Sequence, residues 1–132
     1  MINCDDITDI DLSELHSFHK KHGKNIICVV HPRLALGLVK ENEEGHAVFV
    51  EKPLLPDWVS CGWSVLNKKD VLKHLPDKGS IEYEVYPKIK LILHKHEGFW
   101  KTLNSNKDIS EFEEMHSMHS KDNIGVNHGK SK

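Results

Sequence analysis

The residues best placed to do chemistry lie at the end of the stretch Val48-Phe49-Val50-Glu51-Lys52-Pro53. Two β-branched residues and an aromatic run straight into an adjacent acid and base, and the proline, which has no N–H for a ladder, stops the strand. A carboxylate and an ammonium presented at a strand end form either an ordinary exposed pair or the floor of a polar site. A second acidic end is Met1-Ile2-Asn3-Cys4-Asp5-Asp6, where apolar character meets two carboxylates as the last turn of a strand would if it ended at a site. Eleven histidines raise the question of metal. His16, His19 and His22 are three apart, as are His116 and His119, a spacing that drifts around a helix. No Cys or carboxylate spacing accompanies them, so they read as helix-surface residues and not as zinc ligands. Cys4, Cys28 and Cys61 are odd in number and far apart, which fits reduced side chains packed in a core. None lies at an expected helix N-terminus, where a thiolate nucleophile would be favoured.

The elements that position these residues follow from periodicity. Asp11-Leu12-Ser13-Glu14 has the form of a capping box, with Leu12, Leu15 and Phe18 on one face until Gly23, so a helix is expected over about 12–22. Asn25-Ile26-Ile27-Cys28-Val29-Val30 is the continuous apolar run of a strand buried on both faces. After the break at His31-Pro32-Arg33, Leu36-Gly37-Leu38-Val39 and Val48–Lys52 form an antiparallel hairpin across the polar loop Glu41–Gly45, which makes the expected sheet mixed. Val59–Leu66 is a further strand carrying Gly62. A helix opens at Asn67-Lys68-Lys69-Asp70 and ends before Pro76, and another opens at Ser80-Ile81-Glu82, kinked or shortened by Pro87. Lys90–His96 is a strand followed by Gly98-Phe99-Trp100. A last helix is expected from Ser105 to about Met118, and residues 120–132, rich in Asn, Gly, Lys, Ser and His, read as a disordered tail.

Composition sets the bounds. A chain of 132 residues with 38% hydrophobic and 29% charged residues suits one globular domain. With 18 Lys plus Arg against 20 Asp plus Glu, the net charge of −2 gives no electrostatic case for nucleic acid or an anionic membrane. No apolar run approaches the roughly 20 residues that cross a bilayer, and the acidic N-terminus lacks the layout of a signal peptide, so a cytoplasmic protein is expected.

The serial order of these pieces carries more information than any one of them. The acidic end Asn3-Cys4-Asp5, the helix opening Thr8-Asp9-Ile10-Asp11-Leu12, Gly37, Glu51-Lys52-Pro53, Gly62-Trp63-Ser64-Val65, Ile81-Glu82 before Pro87, and Gly98-Phe99-Trp100 together resemble the sugar-1-phosphate nucleotidyltransferases over about residues 2–115. The Gly98-Phe99-Trp100 turn resembles most the glucose-1-phosphate cytidylyltransferase branch. The resemblance implies the sugar-phosphate-binding, C-terminal part of a catalytic domain: an α/β fold with an incomplete Rossmann-like mixed sheet and flanking helices, residues 1–119, without the N-terminal nucleotide-binding half. It further implies that Asp5, or its neighbour Asp6, is a magnesium ligand. Glu51 would accept hydrogen bonds from sugar hydroxyls and Lys52 would meet the sugar phosphate as the catalytic cation. Gly37 and Gly62 would let the backbone approach the sugar, Ser60 would stand where the family has asparagine, and Glu82 would either line the sugar pocket or favour its own helix dipole.

Two departures from the pattern limit what the resemblance implies. The second magnesium carboxylate falls on Asn104 or Thr102, neither of which ionises. No Gly-x-Gly or basic glycine loop exists anywhere in the chain to cradle a triphosphate. The expected partners are therefore a hexose 1-phosphate, with a nucleoside triphosphate only if the missing half is supplied, for instance by a complementing chain. The alternatives are a non-catalytic sugar-phosphate binding or regulatory module and a truncated, inactive gene product.

Overall fold

The computed structural model describes residues 1–124, with side chains through 117. Helix α1 (Leu12–His22) starts where the sequence predicts because Asp11 caps it, its carboxylate accepting from Ser13 N at 2.7 Å and Glu14 N at 3.2 Å. It ends at Gly23, whose N–H returns to His19 O at 2.8 Å. The helix buries Leu15 and half-buries Phe18 against strand β2 (Asn25–Val30). β2 is the centre of a three-stranded sheet in the order β5-β2-β6, antiparallel to β5 (Val59–Val65) and parallel to β6 (Leu91–Lys95). Its continuous apolar run is thereby covered on both faces. Ile26, Cys28 and Val30 join Ile10, Leu15 and Cys61 in one core, ringed by Trp63, Ile92 and Trp100 among others. The fold is thus α/β, with a mixed sheet and flanking helices.

The hairpin β3 (Leu38–Glu41) and β4 (Ala47–Val50) forms as expected, with Leu38 opposite Val50 and Asn42 Oδ1 accepting from His46 N at 2.8 Å in the turn. It is a separate two-stranded sheet. The main sheet is mixed because β5 runs against β2, and the hairpin contributes nothing to it. β4 stops at Val50, so Glu51 and Lys52 lie in the bend after the strand and not on it.

The N-terminus also departs from expectation. Met1–Asn3 runs along the outer side of β5, with Met1 N donating to Ser64 O at 2.8 Å, Ser64 N to Met1 O at 2.9 Å and Asn3 N to Gly62 O at 3.0 Å. The chain then turns at Cys4-Asp5 and enters a short strand β1 (Asp6–Thr8), which pairs antiparallel with β7 (Trp100–Thr102). The acidic pair is a turn between two pairings, and Cys4 is exposed there, outside the core it was expected to join.

Helix α2 (Lys68–His74) is fastened to the sheet by the buried Asn25, whose side chain donates to Asp70 Oδ2 at 2.8 Å and accepts from Asn67 N at 2.6 Å. The third helix is one turn, α3 (Ile81–Glu84), followed by a 3-10 turn over Tyr86–Lys88. Pro87 has no N–H to continue it, and the fully buried Val85 anchors the junction. Helix α4 (Asn106–Ile124) returns over β7 through Lys101 Nζ, 3.0 Å from Glu111 Oε2, and the pair Phe99–Phe112 with centroids 6.1 Å apart. The tail expected over 120–132 lies largely outside the described residues. Among the described residues, no helix is long and apolar enough to cross a membrane.

Candidate functional site

The pairing of β2 with β5 breaks at the centre. Ile27 lies opposite Ser64 and Val29 opposite Ser60, so Cys61, Gly62 and Trp63 together oppose Cys28. Two extra residues on β5 bow it outward while keeping the alternation, so Val59, Cys61, Trp63 and Val65 all still pack toward the core. Gly62 sits at the apex with φ of 77°. A Cβ there would overlap Asp6 Oδ2 and come within 2.6 Å of Asn3 Nδ2. Glycine is required twice over, by the backbone angle and by the side chains above it. The bulge carbonyl of Cys61 accepts from Trp100 Nε1 at 3.2 Å, which fastens the Gly98-Phe99-Trp100 turn to the same point. Asn3, Asp6, Gly62 and Trp100 thus converge from the N-terminal segment, β1, β5 and β7.

Asp6, and not Asp5, carries the carboxylate over Gly62. Asp5 is exposed in the turn, and it contributes its backbone carbonyl to Leu103 N at 2.8 Å. Thr102 pairs with Asp6 across β1 and β7. Ser60 is exposed, and its hydroxyl lies 3.4 Å from Gly62 N on its own strand. The space over Gly37 is filled by the Phe49 ring across the hairpin.

Lys52 lines a cleft of about 1080 Å³ bounded by the His31–Ala35 segment, Leu54, the residues from His96 to Thr102 and the first turns of α4. Its backbone is left-handed, with φ of 43°, a strained angle for lysine. Arg33 holds that corner, its Nη1 donating to Lys52 O at 3.0 Å, while Leu34 N to Pro53 O and Leu55 N to Pro32 O, both 2.9 Å, tie the two segments together. Lys101 and Lys107 in the same cleft lie 3.0 and 3.8 Å from Glu111, whereas Lys52 Nζ has no ion-pair partner among the described residues. Glu51 is exposed and does not line the cleft.

Glu82 lies at the start of α3, where the Ser80 hydroxyl bonds its carboxylate and accepts from its backbone N–H at 3.2 Å. The Ser80 bond holds Glu82 below the usual carboxylate range. This is the geometry of a helix cap, and Glu82 does not line the cleft.

Sequence reasoning missed Asn3, Arg33 and the pair Asp9–His96. His96 Nε2 lies 2.7 Å from Asp9 Oδ1, and Thr8 Oγ1 donates to Phe99 O at 2.8 Å, so the Gly98 turn is clamped from both sides. A Cβ on Gly98 would come within 2.5 Å of Asp9 Oδ1 and 2.7 Å of the His96 ring. Thr8-Asp9 had read as the opening of a helix, and nothing in the local sequence pointed to a histidine 87 residues away. Among the described residues no group of three His, Cys, Asp or Glu side chains converges as a metal site. Asp6 with Asn3 and Thr102 is too sparse a donor set to hold magnesium by protein ligands alone.

Comparison with known proteins adds sequence and fold relatives. No family model matches the chain. The chain is 29% identical over 120 residues to the mannose-1-phosphate guanylyltransferase catalytic subunit beta of Dictyostelium discoideum, taking in 83% of this chain and 33% of that protein. It is 30% identical over 120 residues to the protein of the same name from Drosophila pseudoobscura pseudoobscura, taking in 83% of this chain and 32% of that protein. The chain therefore spans about a third of the length of the curated relatives it matches. Its fold is that of HddC from Yersinia pseudotuberculosis, with a TM-score of 0.62 at 19% identity, over 87% of this chain and 53% of that one. Both curated relatives are guanylyltransferases by name, so the cytidylyltransferase branch expected from Gly98-Phe99-Trp100 gains no support. The similarities support the general sugar-1-phosphate nucleotidyltransferase family, and within it no particular branch.

Proposed function

We propose that these residues form the sugar-phosphate side of a sugar-1-phosphate nucleotidyltransferase, with the nucleotide side contributed by a Gly-rich segment from elsewhere. The observation that carries this reading is the convergence of Asn3, Asp6 and Trp100 on the Gly62 bulge, in a chain 29–30% identical to mannose-1-phosphate guanylyltransferases. With no side chain at Gly62, Asp6 and Asn3 close over the bulge, and their carboxylate and amide suit sugar hydroxyls. Lys52, an exposed cation without an ion-pair partner at the rim of the cleft, suits the phosphate of that sugar. In the complete reaction a sugar-phosphate oxygen forms a bond to the α-phosphorus of a nucleoside triphosphate in line, and the bond to pyrophosphate breaks. Lys52 would follow the charge as it moves onto the bridging oxygen. Asp5, assigned the metal from sequence, gives way to Asp6 in this reading. With Asp6 as the single carboxylate, water and substrate phosphates would have to complete the shell of a magnesium ion. A cytoplasmic setting belongs to the same reading.

A second reading, a non-catalytic sugar-phosphate binding module, is favoured by one specific feature: the place where the resemblance implies a second carboxylate falls on Asn104 or on Thr102, neither of which ionises. Both readings require the phosphate to bind at Lys52. Isothermal titration of the chain with mannose 1-phosphate should therefore give binding heat that is lost in Lys52→Ala, with unchanged circular dichroism. Absence of heat in the parent protein would remove both readings.

A further inference from the structure

Cys28 and Cys61 are a feature that the proposed function does not use. They lie on neighbouring antiparallel strands, on the same face of the sheet, and both are fully buried in one core cluster. The bulge places Cys61 directly against the position facing Cys28, since the three residues Cys61–Trp63 oppose that single residue. The Cys61 sulfur beside it and burial push the Cys28 thiol far up. Two thiols facing each other across neighbouring strands are placed as an attacking and a resolving sulfur once the core opens.

We propose that Cys28 and Cys61 are a reversible oxidation site, closing to a disulfide across β2 and β5 under peroxide. The step balances as follows. Cys61 sulfur attacks one peroxide oxygen, the O–O bond breaks, and Cys61 becomes a sulfenic acid with release of one water. Cys28 sulfur then attacks Cys61 sulfur and displaces the second oxygen as water. Two thiols are oxidised by two electrons, one peroxide is reduced to two waters, and both thiol protons leave in the waters. Peroxide reaches the pair through local opening of the bulge, whose ladder is already interrupted. The bond bears on the candidate site because Cys61 precedes Gly62 and its carbonyl holds Trp100. Tightening Cys61 toward β2 draws the bulge inward, away from Asn3 and Asp6, and displaces the Trp100 indole.

The test does not depend on the proposed activity. The full chain carrying Cys4→Ser, which removes the exposed thiol, is incubated natively with hydrogen peroxide, quenched in acid, unfolded and alkylated with N-ethylmaleimide. The expected product is lighter by two hydrogens, takes up no alkyl group, yields a Cys28–Cys61 linked peptide on digestion, and returns to two alkylatable thiols with dithiothreitol. Native tryptophan fluorescence should shift in step with the cross-link, since Trp63 and Trp100 flank Cys61. Two thiols that stay free, or that proceed to sulfinic acid with no linked peptide, would overturn the proposal. No core residue is substituted, so misfolding of a variant does not confuse the outcome.

Discussion

Gly62 on the bulge and Lys52 in the cleft place opposite demands on the backbone. At Gly62 the left-handed angle of 77° is carried by the residue suited to it. Gly62→Ala should cost about 1–3 kcal/mol from the backbone angle alone, with more from overlap with Asp6, read by urea denaturation. In an Asp6→Ala background the overlap part should shrink while the backbone part stays, a non-additivity that a simple loss of flexibility would not produce. At Lys52 the angle of 43° falls on a side chain that disfavours it. Lys52→Gly should therefore raise stability by up to about 1 kcal/mol while losing the sugar-phosphate heat, a divergence that equilibrium unfolding and calorimetry measure separately. Such strain is retained where function sets the side chain. Both residues stand out in the sequence, because a glycine inside a strand and a charge pair before a proline are local signals. Sequence reasoning put Asp5 ahead of Asp6 without access to where the chain turns, and the turn leaves Asp6 over Gly62. The Cys4-Asp5 turn is set by two distant pairings, with β5 and with β7, which no local pattern records.

At the scale of elements, α1, β2 and β5 were legible almost to the residue, since each has a cap, an apolar run or a glycine that marks its bounds. The hairpin was legible as a pair but not in its placement. Pairing within a hairpin is decided by its turn, whereas joining a sheet is decided by a partner edge elsewhere. The docking of α4 was likewise beyond reach, because it rests on Lys101–Glu111 and Phe99–Phe112, each linking separate elements. The Lys101 ammonium holds Glu111 below its ordinary range, first through its hydrogen bond and then through its charge. The folded value is depressed, so the stabilisation is present above the unfolded carboxylate pKa and fades as pH falls through the folded one. Hydrogen exchange of residues 106–117 should accordingly speed up, relative to the unfolded reference, as pH drops through the acidic carboxylate range. In Glu111→Gln that extra acid sensitivity should vanish. If the two proteins respond identically, the Lys101–Glu111 pair does not hold α4.

For the molecule as a whole, the distribution of charge decides how much of a reaction it can run. The cleft offers Arg33 and Lys52 to an anion, but Lys101 and Lys107 are shared with Glu111, and Asp108 and Glu97 line the same space. That leaves enough positive charge for one phosphate and too little for the three of a nucleoside triphosphate. Those need several backbone N–H groups converging from a glycine-rich loop. None of the eight glycines lies within two residues of another, so these residues contain no such cradle. The relatives are about three times as long as the matched region, which leaves ample chain in them for that role. Exposed apolar residues on two separate surfaces, Met1 and Ile2 beside β5 and Val39 and Phe49 on the hairpin, are the kind of area a neighbouring segment would cover. A polypeptide of these 132 residues should thus bind mannose 1-phosphate yet release no pyrophosphate above background with GTP or any other nucleoside triphosphate, in a coupled pyrophosphate assay with magnesium. Turnover by this chain alone would mean that the triphosphate is held without a glycine loop, and the division into a sugar-phosphate side and a nucleotide side would have to be abandoned. Turnover only on adding a polypeptide that carries the Gly-rich segment would show that the two sides assemble without a covalent link. The Lys52→Ala variant should then fail in the mixture as it fails in binding.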